Sequence, residues 1–157
     1  MSPRVLIVIH GDEPVGWVYE ACHAVSMLCH PIVRVLAIAG LAFPPLTAFT
    51  PLARRMYQQA MAYWKQEQES RIQQLIDEIL PRLPVEVEVV RLRYPARRLG
   101  EAVMDQMISW QADAILMALQ PRSISSRQLL EAVSHRLAPP TTCAVIVTHS
   151  DTGESRK

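Results

Sequence analysis

The run Val5-Leu-Ile-Val-Ile9 is apolar at every position, and no other feature of the chain constrains its fold so tightly. A strand with one face in water alternates apolar with polar residues. A run without alternation must be covered on both faces, as central strands of parallel sheets are by helices on either side. Ile32–Ala39, interrupted only by Arg34, reads the same way, as do Ala114–Leu119 and Cys143–Val147.

The segments between these runs carry helical spacing. Val15, Val18, Cys22, Val25 and Cys29 recur in steps of three and four, drawing one stripe; Asp12 is a candidate cap, and Pro31 is expected to end the helix. Leu41 to Thr50, with Pro44-Pro45 and two phenylalanines, reads as a connecting loop. Pro51 suits the first turn of a long helix whose stripe is Tyr57, Met61, Trp64, Ile72, Leu75 and Ile79, interrupted only by Gln68 and stopped by Pro81. Val85–Leu92 alternates apolar and charged residues, which places it at the sheet rim. Pro95 is expected to open a third helix with Leu99, Val103, Met107 and Trp110 inward. Ser125 with Gln128 has the form of a capping box for a fourth helix with Leu129, Leu130, Val133 and Leu137 on its apolar face, ended by Pro139-Pro140.

Five strands alternating with four helices specify a Rossmann-like α/β fold, a three-layer sandwich around a five-stranded, mainly parallel sheet of order 3-2-1-4-5. Residues 1–149 form one domain and 150–157 a polar tail expected to be flexible. With a net charge of +1 and no run of like charges, the chain lacks the footprint of a nucleic-acid binder. Its apolar runs are too short for a signal-peptide core or a membrane span, so a soluble, cytoplasmic protein is expected. Three cysteines, Cys22, Cys29 and Cys143, form a sparse, odd set of reduced thiols. Cys22-His23 and Cys29-His30 lie two helical turns apart, roughly 10 Å by the helix rise, too far to share one tetrahedral ion. Neither metal nor cofactor is expected, and the thiols of the stripe read as core residues.

Sheets of this class bind ligands beyond the carboxyl ends of the strands, where the strand order reverses. That crevice would be lined by His10, Gly11 and Asp12 on one side and by Leu119 to Ser126 on the other, with Gln120, Arg122, Ser123, Ser125 and Ser126 as its polar groups. Two readings fit these residues. One is a small pocket for an anionic or nucleoside-like ligand; the other is a turn histidine, a helix cap and a solvated serine loop. Arg54-Arg55 and Arg97-Arg98 sit at helix starts, where the dipole makes cations mildly unfavourable, and read as solvated faces.

From Arg4 to Val147 the chain resembles the universal stress protein family. Val8-Ile-His-Gly-Asp-Glu13 is similar to the family's opening strand and turn, Gln111-Ala-Asp-Ala-Ile-Leu-Met117 to its Gly-Ala-Asp strand, and Val133-Ser134 followed by a final Val-Ile-Val strand to its closing layout. The resemblance implies a site for ATP built on Gly-x2-Gly-x9-Gly-Ser/Thr after the fourth strand. Those positions fall on Ala118, Pro121, Glu131 and Ala132, and none matches. Proline offers no N–H, and a carboxylate repels the anion. His10 replaces the acidic residue of nucleotide binders, so family-type ATP binding is expected to be lost. The resemblance also implies a homodimer paired through the last strands, here Cys143, Ala144, Val145, Ile146 and Val147. No Gly-x-Ser-x-Gly turn for a nucleophile occurs. The expected function is therefore a non-enzymatic stress-response or regulatory protein acting on an unidentified protein partner, with a small-ligand sensor as the alternative and a His10-based enzyme as a third reading.

Overall fold

In the computed structural model, the described residues are 2–11, 13–41, 50–95, 98–119 and 144–149. The elements are β1 (Arg4–Ile9), α1 (Val15–Ser26), β2 (Ile32–Leu41), α2 (Pro51–Ile79) followed by a 3-10 turn at Leu80–Arg82, β3 (Val87–Pro95), α3 (Leu99–Trp110), β4 (Ala114–Leu119) and β5 (Ala144–His149). The parallel sheet runs β3-β2-β1-β4, as expected, and β5 lies parallel beside β4 from Ala114↔Ala144 to Leu119↔His149. The segment expected to form a fourth helix lies outside the described residues, as does the tail beyond His149.

The unbroken apolar character of β1 has a direct cause in the layering. Val5, Ile7 and Ile9 face one core, shared with Trp17, Val18 and Cys22 of α1 and with Ile72, Leu75, Ile76 and Ile79 of α2. Leu6 and Val8 face the other, where Val103, Met104 and Met107 of α3 cover them. Every residue from Val5 to Ile9 is at most 1% exposed, so a polar substitution on either face would bury an unpaired group. Arg34, the one charge in β2, lies over the Trp110 ring at 4.6 Å and pairs with Glu88, its register partner on β3, at 2.7 Å.

The starts of the strands are tied together. Arg4 N–H donates to the Asp113 carboxylate at 2.9 Å, Asp113 N–H donates back to the Arg4 carbonyl at 2.7 Å, and the Arg4 guanidinium donates to the Trp110 carbonyl at 2.7 Å. Gln111 ends α3 in the left-handed region, φ 57°, a conformation that glycine adopts without penalty.

Several sequence expectations are corrected. α1 ends at Ser26, capped by Met27, rather than at Pro31. The residue before a proline is kept out of the helical region, and His30 takes φ 50°. Cys29 is consequently off the helix and exposed, not part of the core stripe. Pro14 occupies the N-cap position of α1, and Asp12, the expected cap, lies outside the described residues. Pro95 closes β3 instead of opening α3, which an edge strand tolerates because the missing N–H costs no ladder bond. Trp64 is 54% exposed rather than core; it stands about 80° around the helix from Ile72, and full burial in α2 is confined to Ile72, Leu75, Ile76 and Ile79. Thr50 caps this helix, its Oγ1 accepting from Ala53 N–H at 3.1 Å, with Pro51 in the first turn. Among the described residues no helix is long and apolar enough to cross a membrane.

Candidate functional site

β1 delivers His10 and Gly11 to the carboxyl end of the sheet, directly before α1. Of the polar groups expected in the crevice, these two are described. Asp12, Gln120, Arg122, Ser123, Ser125 and Ser126 lie outside the described residues, and Leu119 is placed by its backbone beside β5.

The structure adds two residues that the sequence reading did not assign to the site. Glu13 folds its carboxylate back over the strand end and is buried. His10 N–H donates to both carboxylate oxygens, at 3.1 and 2.9 Å, and Gly11 N–H donates to one of them at 3.0 Å. The His10 ring closes the arrangement, Nε2 lying 3.2 Å from Glu13 Oε2. A carboxylate buried without such donors would be strongly destabilising; three charge-assisted contacts at this range offset its desolvation. Gln68, the polar interruption of the α2 stripe, donates from Nε2 to the His10 carbonyl at 3.2 Å. It joins the long helix to the strand end.

Gly11 has φ 108°, a backbone that L side chains rarely adopt, while a Cβ there would meet Gln68 and Ile72 only at an ordinary 3.6 Å. Conformation, not space, therefore calls for glycine at this turn. Trp17 follows in α1, 1% exposed, its indole N–H without a partner among the described residues.

Chemically, this is a strand end whose two amide donors are already engaged by an internal anion. His10 is held against a carboxylate, the geometry that orients an imidazole. Among the described residues no group of three His, Cys, Asp or Glu could hold a metal. Cys22 is buried in the α1–α2 core, where desolvation raises its thiol pKa and Arg82 acts weakly in the opposite direction.

Comparison with solved structures places this architecture. A universal stress protein in complex with cAMP superposes with TM-score 0.55 at 12% identity, over 94% of this chain and 97% of that one. The fold is that of the universal stress proteins. A universal stress protein from Archaeoglobus fulgidus gives TM-score 0.55 at 10% identity, covering 94% and 93%. A family member from Burkholderia pseudomallei gives 0.54 at 15%, covering 92% and 94%. No family model matches the chain, and no curated protein matches it.

Within the universal stress protein fold, Ala118, expected to stand at the first position of the glycine motif, is 4% exposed on β4 and belongs to the α1–α2 core. Pro121, Glu131 and Ala132 lie outside the described residues. Glu13 and Gln68 left faint sequence signals: an acidic residue two positions after a turn glycine, and a lone polar residue on an apolar helical stripe.

Proposed function

We propose that this chain is a non-enzymatic stress-response or regulatory protein of the universal stress protein type, which acts through dimerisation and partner binding and does not bind ATP in the family manner. The observation that carries the reading is the replaced glycine motif: Ala118, Pro121, Glu131 and Ala132 stand at its four positions, and Ala118 is buried in the α1–α2 core. A phosphate cradle needs free N–H donors and a positive local field. At the neighbouring end of β1, the amides of His10 and Gly11 are engaged by the Glu13 carboxylate. Proline at 121 and glutamate at 131 act in the same direction. The fold, shared with universal stress proteins at low identity, supports the broad class.

Pairing through β5 is supported by its place at the end of the strand order, where β4 is its one neighbour among the described residues. Uncovered strand edges are sites of chain pairing. Cys143 lies outside the described residues; Ala144, Val145, Ile146 and Val147 lie within β5. A cytoplasmic location belongs to the same proposal.

A second reading is favoured by one comparison, the universal stress protein in complex with cAMP: a sensor that takes a small nucleotide in a remodelled crevice around His10. Isothermal titration with ATP and cAMP, together with light scattering, separates the two. The proposal expects a dimer at micromolar concentration and no heat with ATP. Micromolar ATP affinity overturns the loss of ATP binding, cAMP binding alone favours the sensor, and a monomer removes pairing.

A further inference from the structure

The first half of α2 reverses the usual distribution of side chains on a surface helix. Full burial in this helix is confined to Ile72, Leu75, Ile76 and Ile79, and these residues fix the direction of the sheet. At about 100° per residue, Leu52, Met56 and Tyr63 fall on one line on the opposite side of the helix, facing away from that core. They are 64%, 61% and 63% exposed, and Trp64 beside them is 54% exposed. Further along, the same line carries Ser70, Gln74 and Asp77, the polar residues expected of an outward face. The outward apolar stretch therefore belongs to the first half of α2 alone, and it has no part in packing the core.

Charge in the same stretch is one-sided. Arg54, Arg55 and Lys65 are exposed, and the first acidic residue of the helix is Glu67. Among the described residues no carboxylate pairs with these three cations. Arg54 and Arg55 stand near the helix start, where the dipole disfavours positive charge, so the helix itself gains nothing from them. Large exposed apolar side chains rimmed by polar ones mark a protein or membrane contact. Here the rim is cationic, and its complement is a surface that is anionic outside and apolar beneath. A second copy laid along the same half would instead set like charges together.

We infer that the first half of α2 lies on an anionic lipid surface, with Leu52, Met56, Tyr63 and Trp64 entering the headgroup boundary and Arg54, Arg55 and Lys65 meeting the lipid phosphates and carboxylates. Tyrosine and tryptophan, each an apolar body with a polar tip, suit that boundary. Arginine and lysine stems are long enough to turn their charges back toward the headgroups. The helix rests on the bilayer and does not cross it. The surface shares no residue with the strand-end crevice or with β5, so the outcomes for ATP and for pairing leave it standing.

The test is flotation of the full chain with vesicles of phosphatidylcholine alone or mixed with an equal part of phosphatidylserine, at low salt. Half-saturation is expected at about 1 mM lipid or below on the mixed vesicles and at roughly tenfold more lipid or above on the neutral ones, since each basic residue near an anionic surface is worth about a fivefold change. Salt near about 1 M, where the Debye length is about 3 Å, weakens binding roughly tenfold or more. Arg54→Gln with Arg55→Gln weakens it at least about tenfold, whereas Arg91→Gln with Arg93→Gln, the same loss of charge at the sheet rim, changes it less than about threefold. Leu52→Gln, Met56→Gln and Tyr63→Gln together, all at exposed positions, weaken it at least about tenfold while the urea midpoint holds; if that variant fails to fold, the two arginine pairs decide. No flotation at several millimolar lipid, equal flotation with neutral vesicles, or affinity indifferent to the Arg54 and Arg55 variant overturns the inference. So does a dimer that the triple variant dissolves while the parent ignores vesicles, which assigns the face to a second copy.

Discussion

Glu13 is a buried acid whose role is structural before it is anything else. Truncating it strands the N–H groups of His10 and Gly11 in a dry strand end, at a cost of about 1–3 kcal/mol for each group left unpaired. Glu13→Ala is therefore expected to lower the unfolding free energy by roughly 2–4 kcal/mol in urea titration; a loss below about 0.5 kcal/mol would mean that water replaces the carboxylate without penalty. Thiol chemistry gives a second check. Cys29 is exposed and Cys22 buried, so N-ethylmaleimide followed by peptide mapping should label Cys29 in the native state and Cys22 only after unfolding. Because burial raises the folded-state thiol pKa of Cys22, its contribution to stability is complete below the unfolded thiol value and is lost as pH rises through the folded one. A Cys22→Ala variant should accordingly lose less stability than the parent on moving into that alkaline window. His10 and Gly11 were legible as strand-end residues because an apolar run must stop somewhere. Glu13 was not, since a carboxylate in a turn ordinarily faces water and only the folded backbone reveals the donors that draw it inward.

At the scale of elements, α2 divides in two. Its last turns are core, whereas Leu52, Met56, Tyr63 and Trp64 are more than half exposed. Helices owe most of their stability to packing of an apolar face, so amide hydrogen exchange is expected to protect Ile72–Ile79 strongly and the turns before Gln68 weakly. Equal protection along the helix would show that the first half is covered in solution. The helix itself was plain in the sequence, from Pro51 to the proline at 81, because capping and termination are local chemistry. Which turns touch the sheet was not, because a stripe fixes a direction and not the presence of something beneath it. The same limit explains Pro95, whose fixed φ suits a helix start and a strand edge alike.

For the molecule as a whole, strand order followed from the succession of buried runs and from the handedness of crossovers, and the β3-β2-β1-β4 order agrees. The crevice was located by the same topology, but its contents were only half readable, because Gln68 arrives from a helix 58 residues away. The clasp between Arg4 and Asp113 spans 109 residues and has a consequence for the order of events during folding. β1, β2 and β3 follow one another along the chain and can assemble early, whereas β4 must close a long loop before its contacts repay the entropy. The clasp thus belongs to the late, native side of the barrier. Asp113→Ala should leave the refolding limb of a chevron nearly unchanged and accelerate unfolding by the whole of its destabilisation, a φ-value near zero. A value near one would place β1–β4 closure in the nucleus instead. In the former case the clasp sets how long the native state lasts, and the rate at which it forms is decided elsewhere in the sheet.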